Sequence, residues 1–302
     1  MTVTALVDVR RREPLTVALV GSGCWVSDAL ARALAAHGDR VLRLPHDGGD
    51  GPAAPSGADV VVHLAAGPQE VSLRGRSEPA LLTLAALHQA RVDGARLVVV
   101  SLPGNADHLA ADEALADGFR SAHAVETAVV ELVECYGPGM PPSRTGALAR
   151  MLDQARTDGV VVVEAGDDDE HRVCFVEDAV EGVLRVVRDG AAGPVRLAPA
   201  TAVQTLDLAR AVAAATGATC RVRERRRLRV AADVPAAVVA ATAPSVPAGW
   251  LCRVDLAEGL ARCVEAPVTA TVHASSGRSA GPERVAVVDL REPAVALGGD
   301  VA

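Results

Sequence analysis

From Thr16 onward the sequence alternates short β-branched runs with longer alanine-rich amphipathic stretches: TVALV, DALARALAAHG, RVLRL, ADVVVHLAA, PALLTLAALHQARVDG and ARLVVVS. Strand, helix and strand at this spacing make βαβ units, and βαβ units make a parallel sheet. The runs VVVH and LVVV are apolar on both faces, as strands covered by helices on both sides must be, and are read as central. Downstream, the pattern predicts strands at Thr127 to Cys135 and Val160 to Ala165. Helices are predicted near Gly146 to Arg156, Glu177 to Val187 and Leu206 to Thr216. The fold class is therefore α/β, a doubly wound parallel sheet with a smaller C-terminal substrate lobe. The expected division is an N-terminal extension over 1–14, the sheet domain over 15–140, and the smaller lobe, partly interleaved with it, over 141–265. A partly mobile tail is expected over 266–302, where the run ASSGRSAGPE lies. His46 to Gly57 is too rich in glycine and proline to be anything but a loop.

Composition removes several mechanisms. The 302 residues contain no lysine, so all 30 basic residues are arginine, and Tyr136 is the one tyrosine. No lysine Schiff base and no Tyr/Lys proton relay can be built. A net charge of −8 argues against a nucleic-acid or anionic-membrane partner and for a small molecule or another protein. The densest positive run, Arg221 to Arg229, is read as a solvated strand edge in preference to an anion site. The six cysteines are spread out with no CxxC pair, which reads as reduced, buried thiols. No apolar run approaches the roughly 18 to 20 residues that span a bilayer, and the expected location is the cytoplasm. The acidic cluster Asp167 to His171 is read as solvent-facing, with no metal expected.

The first strand runs into Val20-Gly21-Ser22-Gly23-Cys24-Trp25-Val26-Ser27 and then a helix, the setting in which a glycine-rich turn holds a pyrophosphate at a helix N-terminus. The glycines fit in part. A GxxGxxG reading keeps Gly21 but places Cys24 and Ser27 at the later positions; a GxGxxG reading keeps Gly21 and Gly23 but ends on Val26. Each added Cβ opposes close approach to phosphate. Asp47, the acidic residue nearest to the expected ribose position, falls late and beyond Pro45. Trp25 either floors an apolar pocket or tucks into the core, and the core is favoured.

Several segments, taken in order, resemble the extended short-chain dehydrogenase/reductases, also called the NAD-dependent epimerase/dehydratase family. Asp59-Val60-Val61-Val62-His63-Leu64-Ala65-Ala66 is similar to the family's DVVxHLAA strand and loop beside the cofactor. Tyr136-Gly137-Pro138-Gly139 resembles its YGPG, and Val176-Glu177-Asp178-Ala179 its VxDxA helix start. Leu206-Asp207-Leu208-Ala209 with Thr216-Gly217 looks like its C-terminal lobe helix. The resemblance spans about residues 16 to 265 and implies a Rossmann-like fold. It also implies a cofactor site at Gly21, Gly23, Trp25, Val26, His63 and Ala65, and allows a homodimer through the helices near Pro79 to Arg91 and His108 to Ala116.

The family's catalytic pair is absent. Aligning Pro103 to Glu113 with PYxxSKLAAEE puts Gly104 at the tyrosine and His108 at the lysine, and Pro103 takes the place of the catalytic hydroxyl. Aligning Gly118 to Ala122 with YGRSK turns the pair into Gly118 and Ala122, with few residues left before Tyr136. Three residues are candidates for new chemistry: His108 as acid/base, against a reading as an exposed first-turn residue capped by Asp107; Ser101 as a donor to a substrate carbonyl; and Tyr136 as the one phenol. Nothing resembling a nucleophile elbow surrounds Ser101. The expectation is a redox-inactive relative that needs no cofactor, with at most a degenerate NAD(P) site. It would perform cyclisation, isomerisation or elimination on a small molecule in specialised metabolism. Two alternatives stand beside it: a non-catalytic auxiliary or ligand-sensing protein, and an NAD(P)-dependent sugar-nucleotide epimerase, dehydratase or reductase.

Overall fold

The computed structural model describes residues 13–20, 25–44, 55–65, 79–102, 106–140, 146–165, 169–190, 193–223 and 246–265. Its centre is a six-stranded parallel sheet of β1 (Thr16–Val20), β2 (Arg40–Leu44), β3 (Val60–Ala65), β4 (Arg96–Ser101), β5 (Thr127–Leu132) and β10 (Gly193–Leu197), in the order β10-β5-β4-β3-β1-β2. Alternation along each strand divides its side chains between two cores. Val17, Leu19, Val60, Val62, Val98 and Val100 belong to one, and Ala18, Val20, Val61, Leu97, Val99 and Val129 to the other.

The first core is covered by α1 (Trp25–Ala36) and by α5 (Val176–Asp189). In α5 the buried residues Val176, Ala179, Val180, Val183, Leu184 and Val187 recur at three- and four-residue steps, one apolar stripe of a surface helix. Gly190 ends α5 in the left-handed region at φ 71°, where its N–H donates to Val186 O. The carboxylate of Asp39, closed off from solvent, accepts two bonds from Arg188 Nη2 at 2.6 and 2.7 Å and one from Leu15 N at 3.0 Å, tying the end of α5 to the entry of β1. The second core is covered by α2 (Pro79–Asp93) and α3 (Ala106–His123), joined by a buried hydrogen bond of 2.6 Å from Thr83 Oγ1 to Asp112 Oδ1.

The strand expected over Thr127 to Cys135 is broken. After Leu132 the chain leaves the sheet, and β6 (Glu134–Tyr136) pairs in parallel with β9 (Val173–Phe175). Val133 marks the break, its N–H turning to Leu197 O at 3.4 Å. Beyond it lie α4 (Ala147–Asp158), β7 (Val160–Glu164), α6 (Thr205–Thr216), β12 (Thr219–Arg223) and α7 (Leu256–Glu265), with β8 (Glu170–His171) and β11 (Val203–Gln204) as a two-residue antiparallel pair. The N-cap of α4 is Gly146, which has no side chain to accept the first-turn N–H groups. Glu134 reaches across instead, and its carboxylate accepts Ala147 N and Ala149 N at 3.1 Å each. The first core continues without interruption into this lobe through Leu148, Leu152, Val161, Leu208 and Leu260. The part of the arginine run that is described, Arg221 to Arg223, lies on β12 and is exposed.

Candidate functional site

In an open parallel sheet, ligands bind outside the carboxyl ends of the strands where the strand order reverses. Here β1 is followed by β2 on one side and β3 on the other, so the switch point lies between β1 and β3. Val20 and His63 are register partners across it, and α1 opens at Trp25, five residues past the end of β1. The N-terminus of α1 therefore stands at the crest of the sheet, where the helix dipole favours an anion.

Gly21 and Gly23 fall outside the described residues, as does Asp47. Trp25 is half-buried and packs against the first core. A Cβ on Gly137 would lie 3.5 Å from Trp25 Cζ3 and 2.5 Å from Val176 Cγ1, so the indole is seated beside the Tyr136-Gly137 turn and the start of α5. Val26, 4% exposed, belongs to the same core. The later positions of the turn thus serve packing.

His63 and Ser101 come to one face of the sheet. By alternation His63 shares the face of Val61, and Ser101 that of Leu97 and Val99, the face that α2 and α3 cover. His63 is the register partner of Val99, and Ser101 that of Ala65 at the end of β3, which makes His63 and Ser101 diagonal neighbours on adjacent strands. Both are buried. His108 lies on the first turn of α3, which starts at Ala106, ahead of Asp107 and five residues beyond Ser101. His63, Ser101 and the start of α3 are thereby gathered at the carboxyl edge of the sheet.

Tyr136 is somewhere else. It is 1% exposed, in edge-to-face contact with Phe175 at 5.5 Å between centroids and 76° between planes. The backbone of α7 presses on it, since a Cβ on Gly259 would lie 2.5 Å from the phenol oxygen. Burial holds its pKa well above the ordinary tyrosine range. The hydroxyl is closed in beneath α7, which is the position of a packing residue and not of a proton donor to a substrate. A surface groove of about 660 Å³ runs between α1 and α5, past Arg32, His37, Glu181 and Arg188. Along it Arg185 holds Glu181 at 2.7 Å, and Arg188 reaches out of it to Asp39. Among the described residues none of the catalytic or cofactor candidates lines it, although Pro138, Val176 and Glu177 of the motifs do.

The motif residue Asp178 has a role that sequence reading missed. It is the third residue of α5 and 5% exposed; Oδ2 accepts the N–H groups of Arg253 and Val254 at 3.0 Å each, while its backbone oxygen accepts Trp250 Nε1 at 2.7 Å. Its partners lie more than 70 residues downstream, out of reach of any local sequence pattern. Among the described residues there is no cluster of three or more His, Cys, Asp or Glu able to hold a metal. Nor, among them, is any helix long and apolar enough to cross a membrane.

By sequence, no family model and no curated protein matches the chain. Solved structures do match by shape, and UDP-glucose 4-epimerases are among them. One is the UDP-glucose 4-epimerase of Thermotoga maritima with UDP-glucose, at 15% identity and TM-score 0.64, covering 83% of this chain and 98% of that one. The UDP-glucose 4-epimerase of Thermus thermophilus, in complex with NAD, matches at 17% identity and TM-score 0.62, covering 83% and 98%. The Bordetella bronchiseptica enzyme WbmF in complex with NADH matches at 19% identity and TM-score 0.63, covering 83% and 91%. At these identities the likeness is one of fold: the chain has the Rossmann-like α/β architecture of these structures.

The expectation that no cofactor is required is corrected by these neighbours, since the fold recurs in structures that hold NAD or NADH. That expectation follows from the Cβ atoms at Cys24, Val26 and Ser27 and from the late Asp47 as well as from the missing Tyr/Lys pair, and none of these bears on the strand order. The reversal of strand order between β1 and β3, with α1 opening beside it, is where a dinucleotide lies in a sheet of this kind. The described residues do not fit the proton relay that the resemblance implies, because the chain has no lysine and its single phenol is buried under α7.

Proposed function

We propose that the protein binds NAD(P) over the carboxyl ends of β1 and β3 and acts on a nucleotide sugar, as an epimerase, dehydratase or reductase whose proton transfer is not carried by a Tyr/Lys pair. The observation that carries this reading is the reversal of strand order between β1 and β3 with α1 opening at the same edge. The likeness in fold to epimerases bound to NAD and to UDP-glucose supports it. His108, on the first turn of α3, is the proposed acid/base, and Ser101, at the end of β4, the proposed hydrogen-bond donor to a substrate oxygen. His63 is proposed to orient that edge by packing.

The test is calorimetric titration of the cofactor-stripped protein with NAD⁺, NADH, NADP⁺ and NADPH, repeated with UDP-glucose present. One dinucleotide is expected to bind in the micromolar range. Absence of heat with all four at millimolar concentration would overturn the reading.

A further inference from the structure

The C-terminal lobe brings together two cysteines that are 78 residues apart in the chain. Cys174 is the central residue of β9 and is 1% exposed; Cys252 is half-buried in the segment that leads into α7. Their sulfurs stand 3.4 Å apart. A disulfide needs about 2.05 Å, so closing the gap takes a movement of roughly 1.4 Å, within the range of a side-chain rotation. The segment carrying Cys252 is held in place on both sides. Trp250 Nε1 and the N–H groups of Arg253 and Val254 all bond Asp178, and Arg185 Nη1 donates to Ala248 O at 2.9 Å. These bonds present Cys252 to Cys174 before any covalent step.

The two thiols differ in the way an attacking and a resolving cysteine must. The hydrogen bond from Cys174 holds the Cys252 thiol below its usual range, and Cys252 is the less buried of the two, next in the chain to Leu251, which is 71% exposed. Cys174 is pushed far up, first by the same hydrogen bond and then by burial. The nearest competitor is Cys135, the register partner of Cys174 on β6. Its sulfur faces the carbonyl of Val133 at 3.3 Å.

We propose that Cys174 and Cys252 form a thiol pair that a hydroperoxide converts to a disulfide. The Cys252 thiolate attacks the O–O bond, which breaks; Cys252 becomes a sulfenic acid, and the departing oxygen takes a proton and leaves as water or an alcohol. The Cys174 sulfur then displaces the sulfenic hydroxyl, which takes the thiol proton and leaves as water. Two thiols are oxidised and one peroxide is reduced, with two electrons transferred. The product fastens the segment 246–255 to β9, so that α7 and the ring of Tyr136 beneath it are held by a covalent bond in place of hydrogen bonds alone.

The experiment treats the native full-length chain with stoichiometric hydrogen peroxide, then alkylates, digests without reduction and maps the peptides by mass. Two of the six thiols are expected to disappear, with a Cys174–Cys252 cross-linked peptide that a reductant releases. Cys135→Ser should form the same cross-link, and Cys252→Ser should retain every remaining thiol. The wild-type map alone decides the matter if a variant folds poorly. Cys252 recovered alkylated, Cys252 recovered as a sulfinic acid without a cross-link, or a Cys135–Cys174 cross-link would each overturn the proposal.

Discussion

Replacing Asp178 by alanine deletes both bonds that its Oδ2 accepts, from Arg253 N and Val254 N, while the bond from Trp250 to the backbone oxygen stays. A hydrogen bond to a charged group contributes about 1.5–3 kcal/mol. Arg253 is exposed and Val254 half-buried, so water reaches the freed N–H groups in part and the lower end applies to each, about 3 kcal/mol together. Loss of a carboxylate from the first turn of α5 adds about 0.3–1 kcal/mol through the helix dipole. Asp178→Ala should therefore lose about 3–4 kcal/mol, a large part of the 5–15 kcal/mol typical of a folded chain. Asp178→Asn can set its amide oxygen where Oδ2 was and keep both bonds without the charge, at a loss of about 1–2 kcal/mol. Urea unfolding followed by circular dichroism measures both. An alanine variant within about 1 kcal/mol of wild type would refute the reasoning. So would an asparagine variant as unstable as the alanine one.

Gly259→Ala would place a methyl 2.5 Å from the Tyr136 oxygen and 2.9 Å from Phe175 Cδ2, both in buried rings. The overpacking cost of about 1–3 kcal/mol exceeds the helix-propensity gain of about 1 kcal/mol, so the melting temperature should fall; an unchanged or higher value would show that α7 shifts freely. Burial pushes the Cys263 thiol from 9.0 up to about 11, so between those pH values the unfolded chain ionises while the native one does not. Its contribution is full below pH 9 and is lost as pH rises to 11, by about 2–3 kcal/mol; unfolding free energies across that range should fall less steeply in Cys263→Ala, and equal slopes would refute the assignment.

The parallel sheet was legible because its strands are buried on both faces: Val17 to Val20, Val60 to Leu64 and Leu97 to Val100 read as near-continuous apolar runs. The helices were legible from their stripes, that of α5 most of all. The break at Val133 was not, since TAVVELVECY continues the apolar pattern past the point where the chain leaves the sheet, and only the arrival of β10 and β9 decides it. For the same reason Tyr136 looked like an available donor. Nothing near it in sequence announces Gly259, whose missing side chain lets α7 close over the phenol. The VxDxA motif was recognised as a likeness, but its carboxylate finds its partners only at Arg253 and Val254, far along the chain. The expectation of no cofactor followed from local features, the Cβ atoms at Cys24, Val26 and Ser27 and the late Asp47, and these say nothing about the reversal of strand order between β1 and β3.

The sixth strand of the sheet, β10, pairs with β5 only after β6, α4, β7, β8, β9 and α5 have been made between them. During synthesis at roughly 5–20 residues per second, β5 leaves the ribosome several seconds before Leu197 does. For that interval the nascent sheet ends in a bare edge of Thr127–Leu132, an apolar strand with its backbone donors and acceptors open to any other chain. The distance in sequence between two neighbouring strands is thus a period of exposure in the cell, in which a chaperone or a slow stretch of translation would decide yield without touching the stability of the finished fold.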